Sequence, residues 1–228
     1  MVIIPARGGS KGVPGKNIKS LAGKPLICYT IDVARGIAAD KDICVTTDSD
    51  EIIKVVSDYG LDVPFKRPEF LATDQSGSYE VLLHAVDHYR SMGENYDSIV
   101  LLQPTSPFRN KTHVEGAMSL FSLEIDMVVS VYKSELNPYY NLFEEENGFL
   151  TQSKKSTFAY RQECPDIYAY NGAVYVINIA SLLQGPLSGF KKVKKYVMDE
   201  ISSTDIDTML DWDWAEFIIE KYNLKTTA

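Results

Sequence analysis

Between residues 2 and 132, short apolar runs alternate with segments of helical period, and that alternation leaves few architectures open. An apolar run over 2–4 leads into a glycine-rich loop, and residues 26–34 read as a helix. Residues 42–47 read as a strand ending at Thr46-Thr47-Asp48-Ser49-Asp50, a favourable helix start, and 51–59 continue as helix. A brief strand is predicted over 62–65. Val81, Leu82, Ala85, Val86 and Tyr89 share one helical face, followed by a strand over 98–102. Val114, Ala117, Met118 and Phe121 form another apolar stripe, and 127–132 is the next strand. This β-α-β order predicts an α/β fold with a mostly parallel sheet flanked by helices. Ligands of such sheets bind beyond the carboxyl ends of the strands, so loops 6–16, 46–50 and 103–109 are expected to face one cleft.

Over residues 133–165 the pattern changes. Asn137-Pro138-Tyr139-Tyr140 and the acidic run at Glu144, Glu145 and Glu146 lead to Asn147-Gly148, a tight-turn signal for a hairpin. This segment reads as an arm leaving a single domain that spans 1–228. The sheet resumes over 173–177 and 193–198, and a final amphipathic helix places Leu210, Trp214, Phe217 and Ile218 on one face. No apolar run reaches membrane length, and the first apolar run is too short for a signal-peptide core. Cys28, Cys44 and Cys164 fit neither a disulfide framework nor a zinc pattern; free thiols in a reducing, cytoplasmic compartment are expected. An isoelectric point near 5.0 argues against binding of a nucleic acid polymer.

The glycine-rich loop carries the chemistry. Gly8, Gly9, Gly12 and Gly15 are interleaved with Arg7, Lys11 and Lys16; Lys19 and Lys24 follow, and the first acidic residue is Asp32. In a chain of net charge -8, this local excess of cations needs a cause. Glycines admit close backbone approach and cations neutralise phosphate oxygens, so a bound polyphosphate is expected. Two common phosphate motifs fail. Gly15-Lys16 looks like the end of a P-loop, but Gly9 lies one residue too far before it and Asn17 stands where Ser or Thr is needed. Gly8-Gly9-Ser10-Lys11-Gly12 lacks the spacing of a dinucleotide fingerprint.

The run Ile4-Pro5-Ala6-Arg7-Gly8-Gly9-Ser10-Lys11-Gly12, with Pro14, Gly15-Lys16-Asn17 and Gly23-Lys24-Pro25-Leu26, resembles the sugar nucleotidyltransferases, most closely the CMP-sialic acid synthetases. Leu71-Ala72-Thr73-Asp74 with Ser78, the segment Leu101-Leu102-Gln103-Pro104-Thr105-Ser106-Pro107-Phe108-Arg109, Asn171-Gly172-Ala173-Val174-Tyr175 and Asp205-Ile206-Asp207-Thr208 stand in family order, so the resemblance runs nearly end to end. It implies a Rossmann-like nucleotide-diphospho-sugar transferase fold, and transfer of CMP from CTP to a nine-carbon sugar acid with release of pyrophosphate. By the same resemblance, Arg7, Lys16 and Asp207 are catalytic, and Arg7, Ser10, Lys11, Lys16, Asn17 and Arg67 bind nucleotide. Ser78, Gln103 and Asn171 border the sugar acid, Asp205 and Asp207 hold Mg²⁺, and the arm over 133–165 pairs two chains into a homodimer.

Several of these residues have a plainer reading. Singly, the loop cations are solubilising charge. Asp205 and Asp207 in extended chain point the same way and suit Mg²⁺, yet Asp and Thr before a helix are also favoured caps, so from the residues alone both roles stay open. Ser78 and Asp48 suit helix caps, Gln103 loop closure, and Asn171-Gly172 a turn. His84, His88 and His113 form no ligand set. One departure bears on the acceptor. The family carries an arginine two residues before the Asn-Gly, where it pairs with the substrate carboxylate; here that position is Ala169. Arg161 or a partner chain is a candidate replacement, and deaminated sialic acid, legionaminic- or pseudaminic-type acids and Kdo become alternative acceptors. A NAD-dependent oxidoreductase on a similar sheet is the rival reading, weakened by the glycine spacing.

Overall fold

The fold is given by a computed structural model, which describes residues 1–73 and 77–224. Strand β1 (Val2–Pro5) runs into the glycine-rich loop, which a short antiparallel ladder of β2 (Ser20–Leu21) and β3 (Lys24–Pro25) closes before helix α1 (Leu26–Arg35). Next come β4 (Ile43–Thr46), α2 (Asp50–Asp58), α3 (Ser78–Ser91), β5 (Ser98–Leu101), α4 (Lys111–Ser119) and β6 (Met127–Lys133). The hairpin β7 (Phe143–Glu146) and β8 (Phe149–Gln152) forms a sheet of its own. The chain then returns through β9 (Tyr168–Asn178), α5 (Ile179–Leu182), β10 (Val193–Val197) and α6 (Met209–Tyr222).

The main sheet has the order β10-β6-β9-β5-β1-β4. β1 pairs in parallel with β4 and β5, as β10 does with β6, while β9 is inserted antiparallel between β5 and β6. Strand side chains alternate between faces, and the sequence uses both. Val2 and Ile4 pack with Ile27 and Ile31 of α1, whereas Ile3 and Cys44 pack with Leu82, Ala85 and Val86 of α3. A third apolar cluster joins Val13 and Leu21 of the loop region to Ile206, Trp212 and Ala215. It clamps the amino-terminal loop to a segment at the far end of the sequence.

Two predicted features differ. Residues 62–65 form no strand; the only ladder contact there is a single bridge between Thr47 and Lys66. Pro64 supplies no N–H for a ladder and fixes its own φ, which accounts for the loss. Helix α6 buries Trp212, Ala215 and Ile218 and leaves Leu210, Trp214 and Phe217 exposed, the reverse of the expected face apart from Ile218. The helix carries two apolar stripes, and the one bearing Trp212 meets the cluster around Val13. Among the described residues, no helix is long and apolar enough to cross a membrane.

Candidate active site

The loop after β1 is held at several points along its length. The Ala6 N–H donates to the Thr46 carbonyl at 3.0 Å and the Gly8 N–H to Asp48 Oδ1 at 3.0 Å. Asn17 Nδ2 donates to the Arg7 carbonyl at 2.9 Å, and Val13 is fully buried. Asp48 therefore braces the loop, while Ser49 accepts from the Ile52 N–H as the cap of α2. Lys16 reaches across to the 205–207 segment, donating to the Ile206 carbonyl at 2.6 Å and to Asp207 Oδ1 at 3.0 Å. Gly12 lies against the same segment; a Cβ there would sit 2.0 Å from the Asp207 carbonyl oxygen. Only a residue without a side chain lets the loop and the backbone of Asp207 approach this closely.

Between them lies a cavity of about 570 Å³. Arg7, Ser10, Lys11, Lys16, Asn17 and Arg67 line it, as do Ser78, Gln103, Asp205 and Asp207. Loops 6–16 and 103–109 thus meet in one cleft as expected, whereas 46–50 supports it from behind. Arg67 is buried, donating through Nε to the Thr46 hydroxyl at 3.1 Å and through Nη2 to the Thr46 carbonyl; desolvation pulls its pKa down. Ser78 is the first residue of α3 and makes no capping bond; Gly77 holds the cap position. Asp205 Oδ1 is buried with no hydrogen-bond partner. Burial pushes the Asp205 carboxyl above its usual range; Thr105 and Lys16 oppose that shift and Asp207 adds to it. An orphaned carboxylate oxygen, an acidic neighbour and a cavity with room for phosphate and water make a hard-oxygen donor set that fits Mg²⁺, which takes one or two carboxylates and completes its shell with water and phosphate.

Asn171 stands elsewhere. It is buried beneath the wall, where Oδ1 accepts from the Ser130 hydroxyl at 2.5 Å and Nδ2 donates to Ser203 Oγ at 2.9 Å. Its side chain is occupied within the protein, so the expected contact with the sugar acid is replaced by a supporting role. The register of β6 against β9 shifts at this point, and Gly172 takes φ +73 with its Cβ position 2.7 Å from Gln103 Oε1. A side chain at 172 would displace Gln103. Ala169 pairs with Tyr132 along β9, and Arg161 is ion-paired with Glu135 of its own arm. His84 and His88 pack on Phe65 at 4.7 and 4.6 Å, and His113 completes the cap of α4. Among the described residues, no three His, Cys, Asp or Glu side chains gather into a metal cluster. Asp74 lies outside the described residues.

Sequence reasoning gave no role to two supports of the site. Thr105 lines the cavity, and its carbonyl accepts from the Ile206 N–H at 2.9 Å. Arg109 is buried and donates to the carbonyls of Gln103 and Ala173 at 2.9 and 2.8 Å and to the Thr30 hydroxyl, fixing the turn that presents Gln103; burial lowers its pKa. The Gln103-to-Arg109 run was visible as a motif, but the partners of its arginine lie far away in sequence.

The family described as cytidylyltransferase matches residues 1–134. The chain is also 36% identical over 223 residues to the CMP-N,N'-diacetyllegionaminic acid synthase of Legionella pneumophila, covering 96% of each. The chain belongs to the cytidylyltransferase family. This cytidylyltransferase is 35% identical to the N-acylneuraminate cytidylyltransferase of Escherichia coli across 98% of its own length and 52% of that protein. A solved CMP:2-keto-3-deoxy-manno-octonic acid synthetase in complex with CTP shares its fold, with a TM-score of 0.69 at 16% identity over 97% of this chain and 98% of that one. Membership makes the chain a nucleotidyltransferase and sets the oxidoreductase reading aside.

Proposed function

We propose that the chain transfers CMP from CTP to the anomeric hydroxyl of a nonulosonic acid. The hydroxyl oxygen attacks the α-phosphorus in line, the bond from that phosphorus to the bridging oxygen breaks, pyrophosphate leaves, and the hydroxyl proton passes to solvent. Positioning and charge stabilisation carry such a transfer. Arg7 grips phosphate oxygens with its planar fork, and Lys16 follows charge onto the departing pyrophosphate. Ser10, Lys11 and Asn17 order the loop around the triphosphate, and Arg67 faces the base. Ser78 and Gln103 orient the acid, with Asn171 holding the wall behind them. Asp205 and Asp207 hold Mg²⁺, which supplies charge neutralisation at the phosphates when bound.

The observation that carries this reading is the meeting of Lys16 with Ile206 and Asp207 beside the partnerless Asp205 oxygen, in one cavity that also holds Arg7. The relatives named for CMP-activated legionaminic and neuraminic acids support the acceptor class. The arm over 133–165 joins two copies into a homodimer; its hairpin exposes Phe143, Phe149 and Leu150, and an isolated two-stranded hairpin is at best marginally stable in water. Three free cysteines, two of them buried, suit a cytoplasmic enzyme. The test is pyrophosphate release from CTP, ATP, GTP and UTP with nine-carbon acids. Release with CTP alone, abolished by EDTA and restored by Mg²⁺, is expected; equal release from ATP, or none with any acid, contradicts the reading.

A further inference from the structure

Gln103 stands where the nucleotide cavity meets a second cavity of about 550 Å³, and it lines both. The turn that carries it is poorly tied by its own backbone. Pro104 and Pro107 supply no N–H, and the bond from the Ser106 N–H to the Gln103 carbonyl is long, at 3.5 Å. Something other than the turn must hold the residue.

Arg109 is placed to do so from behind. It lines neither of those two cavities and is only 3% exposed. Nη1 donates to the carbonyls of Gln103 and Ala173, and Nη2 donates to the Thr30 hydroxyl. One guanidinium thus ties the chain after β5 to β9, and both of them to α1. Gln103 and β9 meet again at the side chain, where the Cβ position of Gly172 lies 2.7 Å from Gln103 Oε1. These partners of Arg109 include no carboxylate, and burying a charge without one is costly. In return, each bond from an ionised donor is roughly twice as strong as a neutral one. The turn also touches the metal-side segment, through the Thr105 carbonyl and the Ile206 N–H. That segment keeps its own ties, to Lys16 and to the apolar cluster around Ile206.

Resting on the proposed transfer to a nonulosonic acid, we infer that Thr30 and Arg109 form a buried relay that positions Gln103 for the acceptor, without setting the nucleotide half of the site. Neither residue touches a substrate; both act through the Gln103 they hold.

The experiment measures pyrophosphate release with the nine-carbon acid that the parent uses best, and CTP affinity by calorimetry in the absence of acid. Thr30→Val keeps the volume and removes the far end of the relay. It is expected to lower kcat/KM for the acid about tenfold, the scale of losing one hydrogen bond to a charged group, with CTP affinity within about twofold of the parent. Thr30→Ser restores the hydroxyl and should restore acid use. Arg109→Lys keeps the charge but cannot stand at both Nη positions at once; a loss of about 10²-fold for the acid is expected, the scale of a misplaced reacting group, again with CTP affinity kept. In a Gln103→Ala background, Thr30→Val should have no further effect, because the relay acts through that side chain. A merely structural role would weaken CTP and acid together and would add to Gln103→Ala. Either result overturns the inference while cytidylyl transfer stands, as does full acid use by Thr30→Val. A parent that releases no pyrophosphate with any acid overturns the proposed function along with it.

Discussion

The nucleotide cavity and the arm are built on opposite terms. The strands beneath the cavity are packed on both faces, with all of β4 and most of β1 buried, and the loops above them are tied to the backbone of Thr46 and Ile206 and to the Asp48 carboxylate. The hairpin β7–β8 buries almost nothing: Phe149 and Leu150 are 77% and 73% exposed. A single chain therefore builds the whole of that cavity, whereas the hairpin leaves Phe143, Phe149 and Leu150 exposed. Catalytic groups gain from rigidity because their geometry must be set before the reaction. The proposed interface gains from being left uncovered.

The sharpest way to break this contrast is to remove charge from the cavity. Arg7→Ala and Lys16→Ala are each expected to lower kcat by about 10²–10³-fold, the scale of losing one donor to developing charge. Because the loop is anchored by backbone and by Val13, far-ultraviolet dichroism and the melting temperature of Arg7→Ala should change little. Full turnover in either variant contradicts the assigned role.

The arm should respond in the opposite way. The double variant Phe149→Asp and Leu150→Asp is expected to convert dimer to monomer at micromolar concentration, measured by light scattering. Its affinity for CTP should stay within about twofold of the parent, since rim charges far from a site are screened. A parent chain that is monomeric from the outset breaks the comparison.

Gly12→Ala tests the join between the two ends of the chain. Its methyl meets the Asp207 carbonyl, and overpacking of this kind costs about 1–3 kcal/mol, read as a lower melting temperature with reduced turnover. The smallest effect concerns pH. Desolvation holds His84 below its ordinary value, with the charges of His88 and Arg67 adding to the shift, and Asp87 opposes it. A lowered histidine contributes stability above about 6.5, its unfolded value, and loses it as pH falls through the folded value. Thermal stability should therefore decline below pH 6.5, and His84→Gln should flatten that decline. An unchanged slope removes His84 from the account.

The sequence made one half of the site easier to read than the other. A strand followed by glycines and cations has a local meaning, so the loop from Arg7 to Lys16 was legible as a phosphate cradle. Asp205 and Asp207 were ambiguous by spacing alone, because capping and metal ligation use the same residues. Spacing could not show that Lys16 meets the Ile206 carbonyl and the Asp207 carboxylate, 190 and 191 residues away, or that Val13 and Trp212 share the apolar cluster that brings the two ends together. The exposed face of α6 was illegible for a related reason: Leu210, Trp214 and Phe217 repeat at helical spacing as well as Trp212, Ala215 and Ile218 do. Pro64 carried a signal against the strand over 62–65, and the apolar pattern outweighed it. Asn171 looked like a turn or a ligand contact, and its partners Ser130 and Ser203 are brought to it only by the sheet.

The most direct test is a crystal grown with CTP and Mn²⁺ in place of Mg²⁺, with anomalous scattering recorded for the metal. The account predicts one metal peak at Asp205 and Asp207, with the triphosphate lying along Arg7 and Lys16. A metal held by other side chains, or a nucleotide bound away from the amino-terminal loop, contradicts it.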